Sequence, residues 1–370
     1  IKGQEFEKQL DDCLSQLKEL MDLRQIYPGS FIRHNLYLNV DEEEKYNILK
    51  PRFEQIIRRQ FPLPMVVLVI AQAPGQGDLA LESTYIQGGV WNCLYREDKY
   101  GACQLIKDKQ YEMVIGAVQV RHLPDMESLA KTAYEQIETL LDKCEMRLGN
   151  LIKQWTYIER MHDNNQLNSR YQTFCNVRTD FYDDEFADGG FPAATEVGMK
   201  MGGIIIEFMA MKNRNDYSSK VENPAQKQPH EYSAEALHTK NNIEEQLLTT
   251  PKLERARTLT MNNKTMLFVS GVSAIIGERV TAEGNAKEQA VVILENLKQL
   301  TAKNNLVEWG LKAPFNLQFT LCKVFVKSLA SVDIVYEIIK PIFEHVPLLI
   351  VEADLAREEI LVELETELLV

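Results

Sequence analysis

What is scarce in this 370-residue chain narrows its possible roles. Its six cysteines, Cys13, Cys93, Cys103, Cys144, Cys175 and Cys322, form no CxxC pair, so no zinc framework is visible. In a chain this long they read as reduced, mostly buried thiols, the usage expected of a cytoplasmic protein. The six histidines, His34, His122, His162, His230, His238 and His345, show no metal-ligand spacing, and no metal or organic cofactor is implied. No apolar run is long enough to span a bilayer. Acidic residues appear early, and the N-terminal stretch lacks the apolar core of a signal peptide. Positive charge is also short: 41 Lys and Arg stand against 54 Asp and Glu, a net charge of −13. Binding nucleic acid needs clustered cations to neutralise phosphates, so that role is disfavoured. "APGQGD" near Pro74 contains glycine but lacks the Lys-Ser/Thr that would grip a phosphate, and reads as a plain turn.

What is present suits a globular protein. The chain is 45% hydrophobic and 26% charged, enough for a sizeable core, and its length suggests two or three domains. Residues 4–24 carry Phe6, Leu10, Leu14, Leu17 and Met21 at helical spacing, an amphipathic helix that packs on a neighbouring layer. "SFIRHNLYLNV" from Ser30 alternates as a strand, a helical run covers Glu43–Arg59, and strands follow from Phe61 and Asp78. A second pass starts with the strand at Tyr111 and the helical run Met126–Leu148. It continues with "LIKQWTYIERM", a helix about Asn168–Tyr182 and a closing strand–turn–strand from Phe191. Residues 213–250 are polar with few large apolar side chains and read as a linker or surface excursion. A third pass has a strand-rich start near Met266, helices over Ala286–Lys303 and Val332–Phe343, a strand between them, and two strands at the end.

The passes repeat one another. Each ends with a helix, a proline, a buried strand, a turn and a final strand bearing a glutamate. The pairs are Pro64 with Glu82, Pro192 with Glu207, and Pro347 with Glu363, separated by 18, 15 and 16 residues. The first pass lacks the long helix of the other two. A two-layer unit covers one sheet face with helices and leaves the other apolar face in need of a partner. Three such sheets can satisfy one another around a common axis. The expected architecture is α+β, with divisions at 1–110, 111–215, 216–258 (the excursion) and 259–370.

The third pass resembles the YjgF/RidA family in "FVSGVSAIIGE", "AKEQAVVILENLKQL", "CKVFVKSL" and "VEADLAREEILVELE", in that order. The chain as a whole resembles the chorismatases, the FkbO/Hyg5-type enzymes that fuse such units. "QWTYIERM" from Gln154 is similar to their Trp-x-Tyr-Ile strand. "NSRYQTFCNVRTDFY" from Asn168 is similar to their Arg-Tyr-x-x-Phe-x-x-x-Arg helix, "FPAATEVG" from Phe191 to their Pro-Ala-Ala segment, and "ADLAREEILVELE" from Ala353 to their last motif. These matches span about two thirds of the chain. The resemblance implies tandem YjgF/RidA-like (chorismate-mutase-like) units forming a single-chain pseudo-trimer, monomeric because the fused repeats supply all three packing partners. It also implies an enzyme that releases pyruvate from chorismate, giving a dihydroxycyclohexadiene carboxylate or a hydroxybenzoate. Departures are Ala356, where the family has Cys, Val272 and Ser273 within "GVSA", and Val177 before Arg178. The missing Cys goes with a change of product in the family.

Releasing pyruvate requires protonating the enolpyruvyl methylene carbon, so the protein must supply a carboxylic acid that stays protonated near neutral pH. It must also supply cations, preferably planar Arg, for the two carboxylates of chorismate. The resemblance implies Glu363 as the acid. Strand alternation puts Glu365 on the same face as a fallback. From the residues alone, "VELETEL" is an alternating strand with a solvated acidic face. The family's helix Arg corresponds to Arg178, the expected carboxylate clamp. Tyr171 lies seven residues earlier on the same helix face, with Arg170 beside it. Arg357, Ala356, Ser273 and Tyr157 complete the candidate substrate-binding set, with core packing the plainer role for Tyr157 and a structural role for Arg357.

Two rival readings stand beside this one. A RidA-like enamine/imine deaminase uses an Arg just after the proline of the final strand pair. The corresponding positions are Val66, Ala194 and Leu348 or Leu349, all apolar. A non-catalytic small-molecule binding protein of the same fold is the other.

Overall fold

A computed structural model describes every residue except 1, 62, 87–90, 166–167, 187–188, 238–247 and 314. His238 and part of the polar excursion lie outside the described residues.

The first unit is a three-stranded sheet. Phe31–Leu38 is its centre, parallel to Val66–Ile70 and antiparallel to Leu79–Tyr85. Helices Lys2–Arg24 and Glu43–Gln60 cover one face, where Phe6, Leu10, Leu14, Tyr46, Phe53 and Ile57 pack into one cluster. The apolar stripe of residues 4–24 therefore has the neighbouring layer that its spacing implies.

The middle unit is a six-stranded sheet in the order Ala193–Met199, Leu151–Glu159, Ile204–Met211, Glu112–Val120, Gly101–Lys107, Asn92–Asp98. Two helices cover it. Met126–Asp142 starts at Asp125, whose side chain accepts from the Ser128 amide, and Arg170–Tyr182 starts at Ser169, which accepts from Gln172. Both are ordinary N-caps that satisfy an otherwise unpaired amide. The division at residue 110 expected from sequence places residues 92–107, which form a hairpin, in the first unit. The hairpin instead extends this second sheet, with Gly101–Lys107 pairing along Glu112–Val120. Gly101 permits the closeness, because a Cβ there would lie 2.4 Å from the Ala117 carbonyl oxygen.

In the third unit the closing strand Val362–Leu369 lies between Gln318–Val326 and Lys264–Val269. Helices Ala286–Leu300 and Val332–Phe343 pack on one side through Ile293, Leu297, Val335 and Ile339. Short Val272–Ser273 also pairs with the closing strand, opposite Leu364 and Glu363.

The faces turned away from the helices meet. One buried cluster takes Tyr37 and Leu68 from the first unit, Trp155, Tyr157 and Ile205 from the middle unit, and Phe268, Phe325 and Val351 from the third. The fold is a single-chain α+β pseudo-trimer around this shared core. Charges line it too: Arg33, Lys153, Lys323, Glu207 and Glu365 are all buried.

Described parts of the stretch expected to be a linker or surface excursion are packed. Lys220–Val221 pairs with the strand Ala256–Met261, and Asn223, Gln226 and Gln228 are buried. Asn223 donates to the Asn296 carbonyl at 3.0 Å and Gln226 to that of Ile275 at 3.0 Å. Polar composition suggested a solvated excursion. Here the amides instead satisfy backbone groups of the third unit, which composition alone does not reveal.

Candidate functional site

A cavity, open at its mouth, lies where the edge of the middle sheet meets the third unit. Ala194 and Glu196 come from the edge strand, and Ser169 and Tyr171 from the start of helix Arg170–Tyr182. Gly271 and Ser273 come from the third unit, and Ala356, Arg357 and Glu363 from its last turn and closing strand. The packed polar segment adds Tyr232, Leu253 and Arg255.

Glu363 is a buried carboxyl in the cavity wall. Alternation along Val362–Leu369 sends Val362, Leu364 and Leu368 to the helix side and Glu363, Glu365 and Glu367 to the other face. The acidic face is therefore buried, contrary to the solvated face that the pattern suggests by itself, because the neighbouring units cover it. Burial pushes the Glu363 carboxyl up to about 7. The nearby Glu365 adds to this, while the Ser273 hydroxyl, Lys153 and Arg255 oppose it. Ser273 Oγ donates to Glu363 Oε2 at 2.8 Å. Gly271 makes room, since a Cβ there would overlap Glu363 Oε1. The result is a carboxylic acid that holds its proton near neutrality with an edge on a cavity.

Two guanidinium groups face it. Arg255 donates through Nη2 to the Lys227 carbonyl at 2.6 Å and to Tyr232 Oη at 2.7 Å, while its buried Nε has no hydrogen-bond partner among the described residues. Arg357 donates through Nη1 to the Glu278 carbonyl at 2.9 Å and lies 4.8 Å above the Tyr232 ring. Its Nη2 is likewise buried with no partner among the described residues. Each guanidinium is thus braced on one side, keeps one buried nitrogen without a partner among the described residues, and belongs to a residue that lines the cavity, so a carboxylate bound there would meet positive charge. The ring of His162 also lines the cavity, and burial lowers its pKa.

Of the residues singled out from sequence, Glu363, Ser273, Tyr171, Ala356 and Arg357 share this cavity. Four lie elsewhere. Arg178, the expected clamp, is fully buried and ion-paired with Glu196, so its charge is already used. Arg170 donates to the Glu159 carbonyl at 2.7 Å and ties the helix to the strand before it. Tyr157 sits in the shared core with its hydroxyl 3.5 Å from that of Tyr37. Glu365 is bonded by Trp155 Nε1 and lies 3.4 Å from Lys153 Nζ. Burial alone would raise its carboxyl, but Lys153 and Lys323, with the Trp155 and Thr195 hydrogen bonds, hold it below the usual range. An ionised, paired Glu365 is no proton donor. Sequence reasoning missed Arg255, Glu196 and Gly271. Arg255 stood at the end of a polar stretch read as a linker, and no local pattern marked it.

Among the described residues no group of three or more His, Cys, Asp or Glu side chains is arranged to hold a metal ion. None of the described helices is long and apolar enough to cross a membrane.

Comparison with known proteins follows the same lines. Residues 90–210 match the family model described as chorismatase FkbO/Hyg5-like, N-terminal. A 3-hydroxybenzoate synthase from Streptomyces hygroscopicus is 26% identical over 249 residues, covering 64% of this chain and 67% of that protein. The crystal structure of a chorismatase is 19% identical and covers 91% of this chain and 92% of that one, with a TM-score of 0.68. A YjgF-family structure from Neisseria meningitidis covers 32% of this chain and 87% of its own, at 21% identity and a TM-score of 0.23.

Proposed function

We propose that this chain, similar over residues 90–210 to the FkbO/Hyg5-like chorismatases, releases pyruvate from chorismate by general-acid protonation in the cavity around Glu363. One observation carries the proposal: a carboxyl pushed up to about 7 by burial shares a cavity with two guanidinium groups that have unmet donors.

Arg255 and Arg357 take the substrate carboxylates and hold the enolpyruvyl group against Glu363. Glu363 gives its proton to the methylene carbon, whose π electrons form the new C–H bond. The adjacent carbon becomes an oxocarbenium centre. If water adds there, the resulting hemiketal collapses to pyruvate and a dihydroxycyclohexadiene carboxylate, with one water consumed. If the ring is instead rearranged and aromatised, chorismate divides into pyruvate and hydroxybenzoate with no water consumed. Either way a proton returns to Glu363. Ala356 places only a methyl group at the cavity wall, so no thiol takes part at that position.

The deaminase reading fares worse. It needs a guanidinium just after the proline of the final strand pair, two residues on from Pro192 in the middle unit. Ala194 occupies that position in the middle unit, with a methyl group in the cavity wall. Three sheets in one chain satisfy one another's inner faces, and the proposed working form is a monomer.

The test is incubation of purified protein with chorismate, with pyruvate followed by a coupled assay and the ring product by chromatography. The wild type should release pyruvate. Its kcat/KM should fall about tenfold per pH unit above about 7, because only protonated Glu363 is competent. Glu363→Gln should fold and turn over at least about 10³-fold more slowly. Near-normal turnover in that variant would overturn the site assignment, and a wild type that binds chorismate without releasing pyruvate would make it a binding protein.

A further inference from the structure

We infer that Glu196 is a second catalytic residue, a fixed carboxylate facing the carbon on which positive charge develops when Glu363 delivers its proton. The inference rests on the chorismatase reading of the same cavity and adds a group that neither the sequence motifs nor the acid–clamp scheme uses.

Glu196 lies on Ala193–Met199, the edge strand of the middle sheet, which pairs on one side only with Leu151–Glu159. Along that strand Ala193 and Val197 join the shared core, while Ala194 and Glu196 line the cavity. The carboxylate is held at both oxygens. Arg178 pairs with Oε1, and Tyr171 Oη donates to Oε2 at 2.7 Å. Both partners come from helix Arg170–Tyr182, seven residues apart on one face. Arg178 is anchored in turn above the Phe174 ring, 5.0 Å away. Glu196 is thus held at both oxygens by one helix and is only 4% exposed.

Such a pair is a poor device for stability alone, since a buried ion pair often does no better than apolar side chains of the same volume. Nor does it serve ground-state binding. Chorismate arrives with two negative charges, and a carboxylate in the wall, even one partly offset by Arg178, offers them no attraction. The anion becomes favourable at one stage only, when the enolpyruvyl carbon turns cationic. An interaction that offers nothing in the ground state and is favourable in the transition state raises turnover directly. Arg178 and Tyr171 prepare the charge in advance, so no reorganisation is needed when the cation forms. Glu196 itself takes up no proton. Arg178 is a positioning residue, acting through Glu196 without touching substrate.

The test is a split between turnover and affinity. Glu196→Gln should lower kcat by about 10²-fold. Chorismate affinity is measured in a Glu363→Gln background, where substrate is not consumed. Adding Glu196→Gln there should leave Kd unchanged or lower it. A merely structural role would raise Kd and lower kcat together. If Glu196→Gln fails to fold because Arg178 is left without a counter-charge, the Glu196→Gln/Arg178→Met double variant removes both charges and is read in the same way. Turnover within threefold of the wild type, or a Kd that rises in step with the loss of kcat, overturns the inference while leaving the chorismatase reading intact. A wild type that yields no pyruvate overturns both.

Discussion

Glu207 and Glu363 hold matching places in the middle and third units and meet opposite fates. Each lies opposite the strand residue two beyond a buried lysine: Glu207 faces Trp155, after Lys153, and Glu363 faces Phe325, after Lys323. Glu82 in the first unit faces Asn35, two beyond Arg33. Glu207 is clasped by Arg33 and by Asn35, whose amide donates at 2.8 Å. Glu82 lies 2.9 Å from Arg33 and 3.1 Å from Lys323 and accepts from Tyr37 at 2.9 Å. Burial would raise the Glu82 carboxyl, but Lys323 and Arg33 hold it below the usual range. Among the described residues Glu363 receives only the Ser273 hydroxyl, and it opens on a cavity. One strand position thus yields a buried structural ion pair or a proton donor, according to whether another unit brings a cation to it.

That contrast can be broken by the same substitution at both places. Glu207→Gln removes one partner of a buried pair and should destabilise the fold by about 3–5 kcal/mol in denaturant titration. Glu363→Gln should act with the opposite sign. The folded pKa of about 7 lies above the unfolded value of 4.5, so the unfolded state loses this proton first as pH rises. The wild type therefore forfeits stability between those pH values, roughly 3 kcal/mol in all. Glu363→Gln should match the wild type at pH 4 and exceed it at pH 8. Equal effects at the two sites, of the same sign, would mean that the environments are alike after all.

Smaller effects sharpen the picture of the open site. Arg357→Met or Arg255→Met should raise the Kd for chorismate about 30- to 100-fold, as expected for losing a charge-assisted hydrogen bond to a carboxylate. Neither change should alter the ion pairs at Glu207. Gly271→Ala adds a methyl group where Glu363 Oε1 now lies, and displacing the acid should lower kcat about tenfold, read by pyruvate release. An unchanged kcat there would show that Glu363 need not stay where it is.

Much of this was legible in the residues. The pattern of helix, proline, buried strand, turn and glutamate-bearing strand marks each unit, and helix spacing put Tyr171 and Arg178 on one face. They do share a face, but their common partner is Glu196, which no spacing rule connects to them. Arg178 was expected to grip substrate because it corresponds to the family's helix Arg, and nothing in one dimension connects it to Glu196. Arg255 went unnoticed for the converse reason: its polar surroundings resemble a linker until the amides of Asn223 and Gln226 are seen meeting backbone groups of the third unit.

The sequence by itself determined the local periods, and with them the helices, the strands, the α+β class and the face on which each glutamate stands. Only the tertiary structure decided which of those glutamates is neutralised and which keeps a proton. The reason is that desolvation and ion pairing act through space between groups far apart in the chain. Arg33 reaches Glu207 across 174 positions, and Ser273 reaches Glu363 across 90. The alternation that creates an acidic strand face is the same whether water or another sheet covers it.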